Sequence, residues 1–271
     1  MSIAFISGTG LYGFSPMAQM KEKQIRTPLG VCLLYHLEHQ GEDIYFLPRH
    51  GLTHSLPPHA INYRANIYTL YSLDVERIYA FCAVGSMDPD LNPGSFVVLR
   101  QFIDMTWGRE HTFAGQGLVS HVDLSEPYCP SLSRQILRCG REQGIDIDDD
   151  GVYVCTQGPR FETPAEIRAF ASWGGNLVGM TGVPEAQLAR EAGICYASLA
   201  VVTNFAAGIG ERIDEEAIGR MMQTRKNHLE RLITGLMNNK NSKDSKCDCK
   251  AAEIAACKKW PLVGDEEAID N

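Results

Sequence analysis

The sequence predicts an α/β domain built on a mixed sheet, and three observations carry that prediction. Short runs rich in β-branched and aromatic residues recur along the chain, capped helical patterns lie between several of them, and 271 residues are enough to bury a substantial core. The first run, "SIAFI" (2–6), suits a buried strand and is too short, with no basic segment before it, for a signal peptide. "VCLLYHL" (31–37), "DIYFL" (43–47), "RIYAFCAV" (77–84), "SFVVL" (95–99), "GVYVCT" (151–156) and "ICYASLAVVT" (194–203) read as further strands.

Three helices follow from capping and period. In 163–172, Thr163 caps, Pro164 occupies the first turn and Glu166 completes a capping box. Residues 184–193 open with Pro184 and stop at Gly193. From Asp214 onward, Ile218, Met221, Met222, Leu229, Leu232, Ile233 and Leu236 keep a 3.6-residue period, a core-facing stripe. Near 238 the composition turns polar, so the expected organisation is one folded domain over 1–238 and a linker with a C-terminal tail over 239–271. Within that tail, 251–260 reads as one short helix.

A net charge of −8 argues against nucleic acid or an anionic membrane as partner, since both require a basic face. No 18-residue apolar run is present, and an odd count of nine cysteines fits reduced thiols better than a secreted disulfide framework. A cytoplasmic protein is the expectation, with Cys32, Cys82, Cys129, Cys139, Cys155 and Cys195 as core thiols.

Three stretches carry chemistry. Gly8-Thr9-Gly10-Leu11-Tyr12-Gly13 satisfies GxGxxG, but Phe14-Ser15-Pro16 interrupts the helix a dinucleotide fold needs, and about twenty positions on stands Thr27-Pro28 with no carboxylate for a ribose. The loop suits a single phosphate ion through its N–H groups and Thr9; a purely structural turn is the alternative. "LPRHGLTHSLPPHAINYRANI" (47–67), read as a loop, supplies Arg49 and His50 directly after a strand: a planar guanidinium matched to an oxyanion and an imidazole that can donate an N–H beside it. Zinc is the rival there, without an HExxH helix or nearby thiolates to support it. "CTQGPRFETPAEIR" (155–168) and "GMTGVPEAQLARE" (179–191) each set a polar loop before a helix N-terminus, where backbone donors are unsatisfied. Glu162 there is either a solvated carboxylate near a helix dipole or an acceptor for a ligand N–H.

With "SGTGL", "LPRHG", "PPHAINYRANI", "CAVGS", "QFID", "EPYCP", "QGPRFET", "GMTGVPE", "LAREAGICYAS" and "VVTN" in order over residues 3 to about 237, the sequence resembles the methylthioadenosine phosphorylase branch of the trimeric purine nucleoside phosphorylase family. The resemblance implies a single α/β domain with a mixed, partly barrel-like sheet flanked by helices. It also implies a homotrimer or dimer of trimers, inorganic phosphate as co-substrate, and neither metal nor organic cofactor. Carried over by position, Thr9, Arg49, His50, Cys82, Ala83 and Thr181 would hold phosphate, and Met180 would lie under the ribose. Glu162, Asn204 and Ala206 would read the purine edge, with Phe161 packed against the base. Asp214 would meet the 5′ substituent, a role shared with its capping of the last helix, and His121 would reach the neighbouring subunit's 5′ region.

Departures from the pattern inform most. The methylthioadenosine members have Thr where Cys82 stands, and members using adenine nucleosides carry acidic residues at the positions of Asn204 and Ala206 and Ser at that of Glu162. A 6-oxopurine offers an N1–H donor and an O6 acceptor; adenine offers the reverse pair. Glu162 can accept N1–H and Asn204 can donate to O6, whereas Ala206 offers adenine's amino group no acceptor. Mispairing of this kind discriminates by roughly 10⁴–10⁵. The expected reaction is therefore phosphorolysis of inosine and guanosine to free base and ribose 1-phosphate, with S-methyl-5′-thioinosine, and less so methylthioadenosine, as alternatives. Asn204, Glu162 and His50 are its expected catalytic groups.

The tail motif "KCDCK" stands apart. Cys247 and Cys249 bridged to each other would close a strained, easily reduced ring, though such CxC tails resemble those of some archaeal relatives in which the pair is oxidised. Zinc needs further ligands, and only Cys257 is close in sequence. Free or reversibly oxidised thiols and no metal are expected.

Overall fold

The computed structural model describes residues 2–8, 19–115, 119–239, 247–255 and 257–259. Among them nine strands and five α-helices build one α/β domain. The strands are β1 (Ser2–Ser7), β2 (Lys21–Thr27), β3 (Gly30–His39), β4 (Glu42–Pro48), β5 (Arg77–Ser86), β6 (Phe96–Met105), β7 (Asp148–Thr156), β8 (Leu177–Gly179) and β9 (Cys195–Phe205). The helices are α1 (Tyr63–Ser72), α2 (Pro130–Glu142), α3 (Pro164–Ser172), α4 (Gly182–Glu191) and α5 (Glu215–Asn238).

The sheet order is β2-β3-β4-β1-β5-β8-β7-β6-β9, and β9 returns to pair with β5. Five strands, β5, β8, β7, β6 and β9, thus close a mixed barrel, while β1, β4, β3 and β2 extend from it as a wing. Period-two alternation divides the core. Ala4 and Ile6 of β1, with Ile78 and Ala80 of β5, join Ile67, Tyr68 and Leu70 of α1 and Leu188 of α4 on one face. Ile3, Phe5, Tyr79 and Phe81 join Leu132 and Ile136 of α2 and Leu229, Leu232 and Leu236 of α5 on the other. With helices on both faces, strands bury both sets of side chains, which is why they read as nearly unbroken apolar runs.

The predicted helix starts appear as expected. Thr163 and Glu166 form a reciprocal capping box, and Asp214 accepts from the Glu216 backbone at 3.0 Å. Four elements were not read from the sequence. β2, "KEKQIRT", is a polar edge strand that pairs with β3; β8 has three residues; α1 begins inside the segment read as a loop, where Asn62 accepts from Ala65 N–H at 3.0 Å; and α2 carries an amphipathic period and Pro130 at its first turn, a signal the reading passed over. The single helix expected over 251–260 is replaced, among described residues, by 3₁₀ turns at Cys249–Ala252 and Cys257–Lys259. That segment docks on the domain: Ile254 N–H donates to the Glu191 carbonyl at 2.9 Å and the Tyr71 hydroxyl to Glu253 at 2.7 Å.

Strand β5 positions the site. It matches β1 only from Arg77 to Ala80 and β8 only at Gly85 and Ser86, so between them one edge has no strand beside it. Backbone groups left there must find another partner, and a ligand is one. No helix among the described residues is long and apolar enough to cross a membrane.

Candidate active site

At the carboxyl ends of parallel strands β1, β4, β5 and β9 lies a cavity of about 540 Å³. This is where open α/β sheets place their ligands, outside strand ends where loops diverge. Of the residues expected in the site, Arg49, His50, Cys82, Ala83, Phe161, Glu162, Met180, Thr181 and Asn204 all line it. Thr9 lies outside the described residues, though Gly8 before it is on the wall.

Arg49 forms the floor of one end. Its Nε and Nη2 donate to the two oxygens of Glu185 at 2.9 and 2.8 Å, and Nη1 donates to the Phe81 carbonyl at 2.7 Å. Burial opposes the guanidinium charge, but the Glu185 carboxylate more than offsets it and holds the Arg49 pKa above its usual value. One N–H on each terminal nitrogen is left by this count, an edge suited to two oxygens of an anion. Gly8 is required here because a Cβ would sit 2.9 Å from Arg49 Nη1.

His50 differs from the expected N–H donor. Its Nδ1 is 2.8 Å from the Leu56 carbonyl, which can only accept, so the proton sits on Nδ1. Burial lowers its pKa to about 4, and the ring is neutral near pH 7 with an Nε2 lone pair. Such a nitrogen can accept from the P–OH of hydrogenphosphate. Cys82 Sγ lies 3.8 Å from Ser198 Oγ, and burial raises its thiol to about 11, so the side chain is an uncharged packing group. At the start of α4 the N–H groups of Thr181 and Gly182 are not open as expected, because both donate to the Tyr153 hydroxyl, at 3.0 and 3.3 Å. The Thr181 side chain makes no capping bond.

The opposite end carries a carboxylate and an amide. Glu162 is 8% exposed and accepts the Thr156 hydroxyl on Oε1 at 2.6 Å. Burial pushes its pKa above the ordinary glutamate value against that hydrogen bond. Asn204 Nδ2 donates to the Phe205 carbonyl and its Oδ1 accepts from Thr203, each at 2.8 Å, which orients the amide and leaves each end capacity for one more partner. Phe161, 41% exposed, covers the rim.

Two residues expected in this cavity fall elsewhere, and His121, expected to reach a neighbouring subunit, stands apart from it. Ala206 is buried with Val178, Phe170 and Met87 behind the wall, its N–H on the Ser86 carbonyl at 2.7 Å. Asp214 caps α5 and pairs with Arg220 at 3.0 Å; its neighbour Glu215, with Ile218 and Gly219, lines the cavity instead. Side chains on α5 project by helical period, so one position along the chain changes the face. His121 lies in a surface groove with Arg190 and Glu253, away from this chain's cavity.

Other contributors carried little local signal. The His54 ring packs tilted against that of His50, with ring centroids 4.4 Å apart. Arg109, 8% exposed, donates to the carbonyls of Gln157, Met180 and Val183 at 2.9, 2.9 and 2.6 Å, tying the Glu162 loop to the Met180 loop. For Glu185 a hint existed: a carboxylate between Pro184 and Ala186, on the buried side of α4, needs a buried partner.

Fold and cavity define an α/β enzyme with an anion-binding end facing a carboxylate–amide pair. The family model of the phosphorylase superfamily matches residues 2–238. The 6-oxopurine nucleoside phosphorylase of Pyrococcus furiosus is 45% identical over 92% of this chain and 97% of its own length. The S-methyl-5′-thioadenosine phosphorylase of Thermofilum pendens is 40% identical over 93% and 97%. The solved methylthioadenosine phosphorylase of Schistosoma mansoni with adenine superposes with a TM-score of 0.85 at 31% identity, covering 90% of this chain and 93% of that one. The chain belongs to the phosphorylase superfamily, and is an enzyme that cleaves nucleosides with phosphate.

Proposed function

We propose that the chain catalyses phosphorolysis of 6-oxopurine nucleosides, inosine and guanosine, rather than of adenine nucleosides. The observation that carries this reading is the pairing of buried Glu162 with oriented Asn204 on one wall of a cavity whose other end holds Arg49. A carboxylate accepts N1–H of hypoxanthine or guanine; adenine would present a lone pair to it. The similarity to the Pyrococcus furiosus enzyme favours the same choice.

In the reaction a phosphate oxygen bonds to C1′ while the C1′–N9 bond breaks and its electron pair leaves with the purine. Charge grows on the base as the sugar becomes cation-like. Glu162, through N1–H, and Asn204, at O6 or at a proton-bearing N7, stabilise the departing base, and such preorganised contacts count most where charge develops. Arg49 holds the phosphate in line below C1′, with His50 Nε2 accepting its P–OH and Thr181 supplying a hydroxyl. Met180 lies between the two ends, under the sugar. Thr9, Ala83 and the edge of β5 complete the anion end in this reading.

At the 5′ side, Glu215 beside His54 supports a hydroxyl, and Ile218 adds apolar surface. One substrate panel tests the proposal: inosine, guanosine, adenosine, methylthioadenosine and methylthioinosine, each with and without phosphate. Inosine and guanosine with phosphate are expected to react fastest. Adenosine or methylthioadenosine as best substrate overturns the Glu162–Asn204 argument, and equal rates without phosphate overturn phosphorolysis.

A further inference from the structure

Four cysteines far apart in the chain converge at the opposite pole of the domain. Cys129 is the N-cap of α2, Cys195 opens β9, and Cys247 and Cys249 lead into the first 3₁₀ turn of the C-terminal segment. Their Sγ atoms all lie within 4.8 Å of one another. Cys257, the sequence neighbour, is not among them, because its thiol donates to the Glu191 carbonyl at 3.4 Å. The two ligands missing from the sequence pattern come instead from α2 and β9.

We propose that Cys129, Cys195, Cys247 and Cys249 hold one zinc ion in a closed tetrahedral site that pins the C-terminal segment to the domain. A zinc ion about 2.3 Å from each of four thiolates keeps the sulfurs roughly 3.8 Å apart, close to the spread seen here. Four protein ligands leave no open position, the mark of a structural rather than catalytic site. The all-sulfur set is soft and selects zinc over magnesium or calcium.

Cys129 stands at the N-cap of α2, so the positive end of that helix faces the sulfur cluster. Cys195 and Cys247 approach to 3.4 Å, so this contact joins β9 to the tail instead of pairing the two cysteines of the CxC. Cys249 is also packed in the core cluster with α2, α5 and β9. A metal there crosslinks three elements that the chain connects only through long paths, and because the site forms only on folding, its binding free energy adds to folding stability. Cys195 and Asn204 stand near opposite ends of β9, about 30 Å apart at strand rise, so the zinc site touches stability and not the cavity.

The test uses the full chain expressed with zinc supplementation and purified with reductant and without chelator. Elemental analysis is expected to find about one zinc per chain. Cys247→Ser and Cys249→Ser are each expected to lower that content at least about tenfold, while Cys257→Ser retains it. Cobalt substitution should give the intense visible bands of a tetrahedral tetrathiolate. Because Cys129 and Cys195 sit in packed parts of the domain, variants there mix folding with binding; the wild-type stoichiometry and the tail variants carry the test. Zinc well below stoichiometric, with the four sulfurs found as free thiols, as disulfides or around iron, overturns the proposal.

Discussion

Glu185 clamps Arg49 through both carboxylate oxygens, at 2.9 and 2.8 Å, with both side chains about 1% exposed. Tyr196 donates to the same carboxylate at 2.8 Å. A pair this dry is costly to form, yet breaking it from one side is costlier, because the remaining charge stays buried. Glu185→Ala is therefore expected to lower stability by about 3–5 kcal/mol, read by chemical denaturation, and to raise KM for phosphate. Wild-type stability in that variant means that the guanidinium is not held by Glu185.

Glu162 serves as an acceptor only while ionised. Removing it by Glu162→Ala is expected to cut kcat/KM for inosine by about 10²–10³ while leaving adenosine turnover nearly unchanged. Burial raises its pKa, so the acid limb of the inosine profile should fall at higher pH than an ordinary glutamate would allow. An unshifted limb, or equal losses on both substrates, removes Glu162 from base recognition.

His50 gives a stability signature of defined sign. Its folded pKa is lowered from 6.5 to about 4 by burial. Above pH 6.5 the ring is neutral in both states; between 6.5 and about 4 the unfolded chain takes a proton that the folded one refuses. Stability is thus lost as pH falls across that window, by roughly 3 kcal/mol in total. His50→Gln should remove that share of the pH dependence, measured as the difference between denaturation series of the two proteins. Identical series for variant and wild type would count against a neutral, buried His50.

Glu215 faces the cavity from the first turn of α5. Replacing it by valine substitutes an apolar surface for a carboxylate, and Glu215→Val is expected to move the ratio of inosine to methylthioinosine kcat/KM toward the methylthio substrate by about tenfold. An unchanged ratio places the 5′ group elsewhere.

Much of the frame was legible because its signals are local. The capping box at Thr163 and Glu166, the Asp214 cap and the strand runs depend on residues within a few positions of each other. Arg49 was marked by its place after a strand and Glu162 by its place before a helix start, whereas Asn204, near the end of β9, came from the resemblance alone; the structure brings all three to one cavity. Polar edge strand β2 and three-residue β8 were silent, since each owes its existence to a neighbour rather than to its own pattern. The choice of Glu215 over Asp214 was also hidden, because it depends on the rotation of α5 against the barrel.

By itself the sequence determined the apolar strands, the helix caps and which residue types stand at the strand ends, because propensity and capping act between near neighbours. Only the tertiary structure decided which nitrogen of His50 is free, that Glu185 would neutralise Arg49 from 136 positions away, and that Cys129 and Cys195 would meet the CxC tail. Those outcomes rest on burial and on distances between segments, and both arise only when the barrel closes and its loops converge.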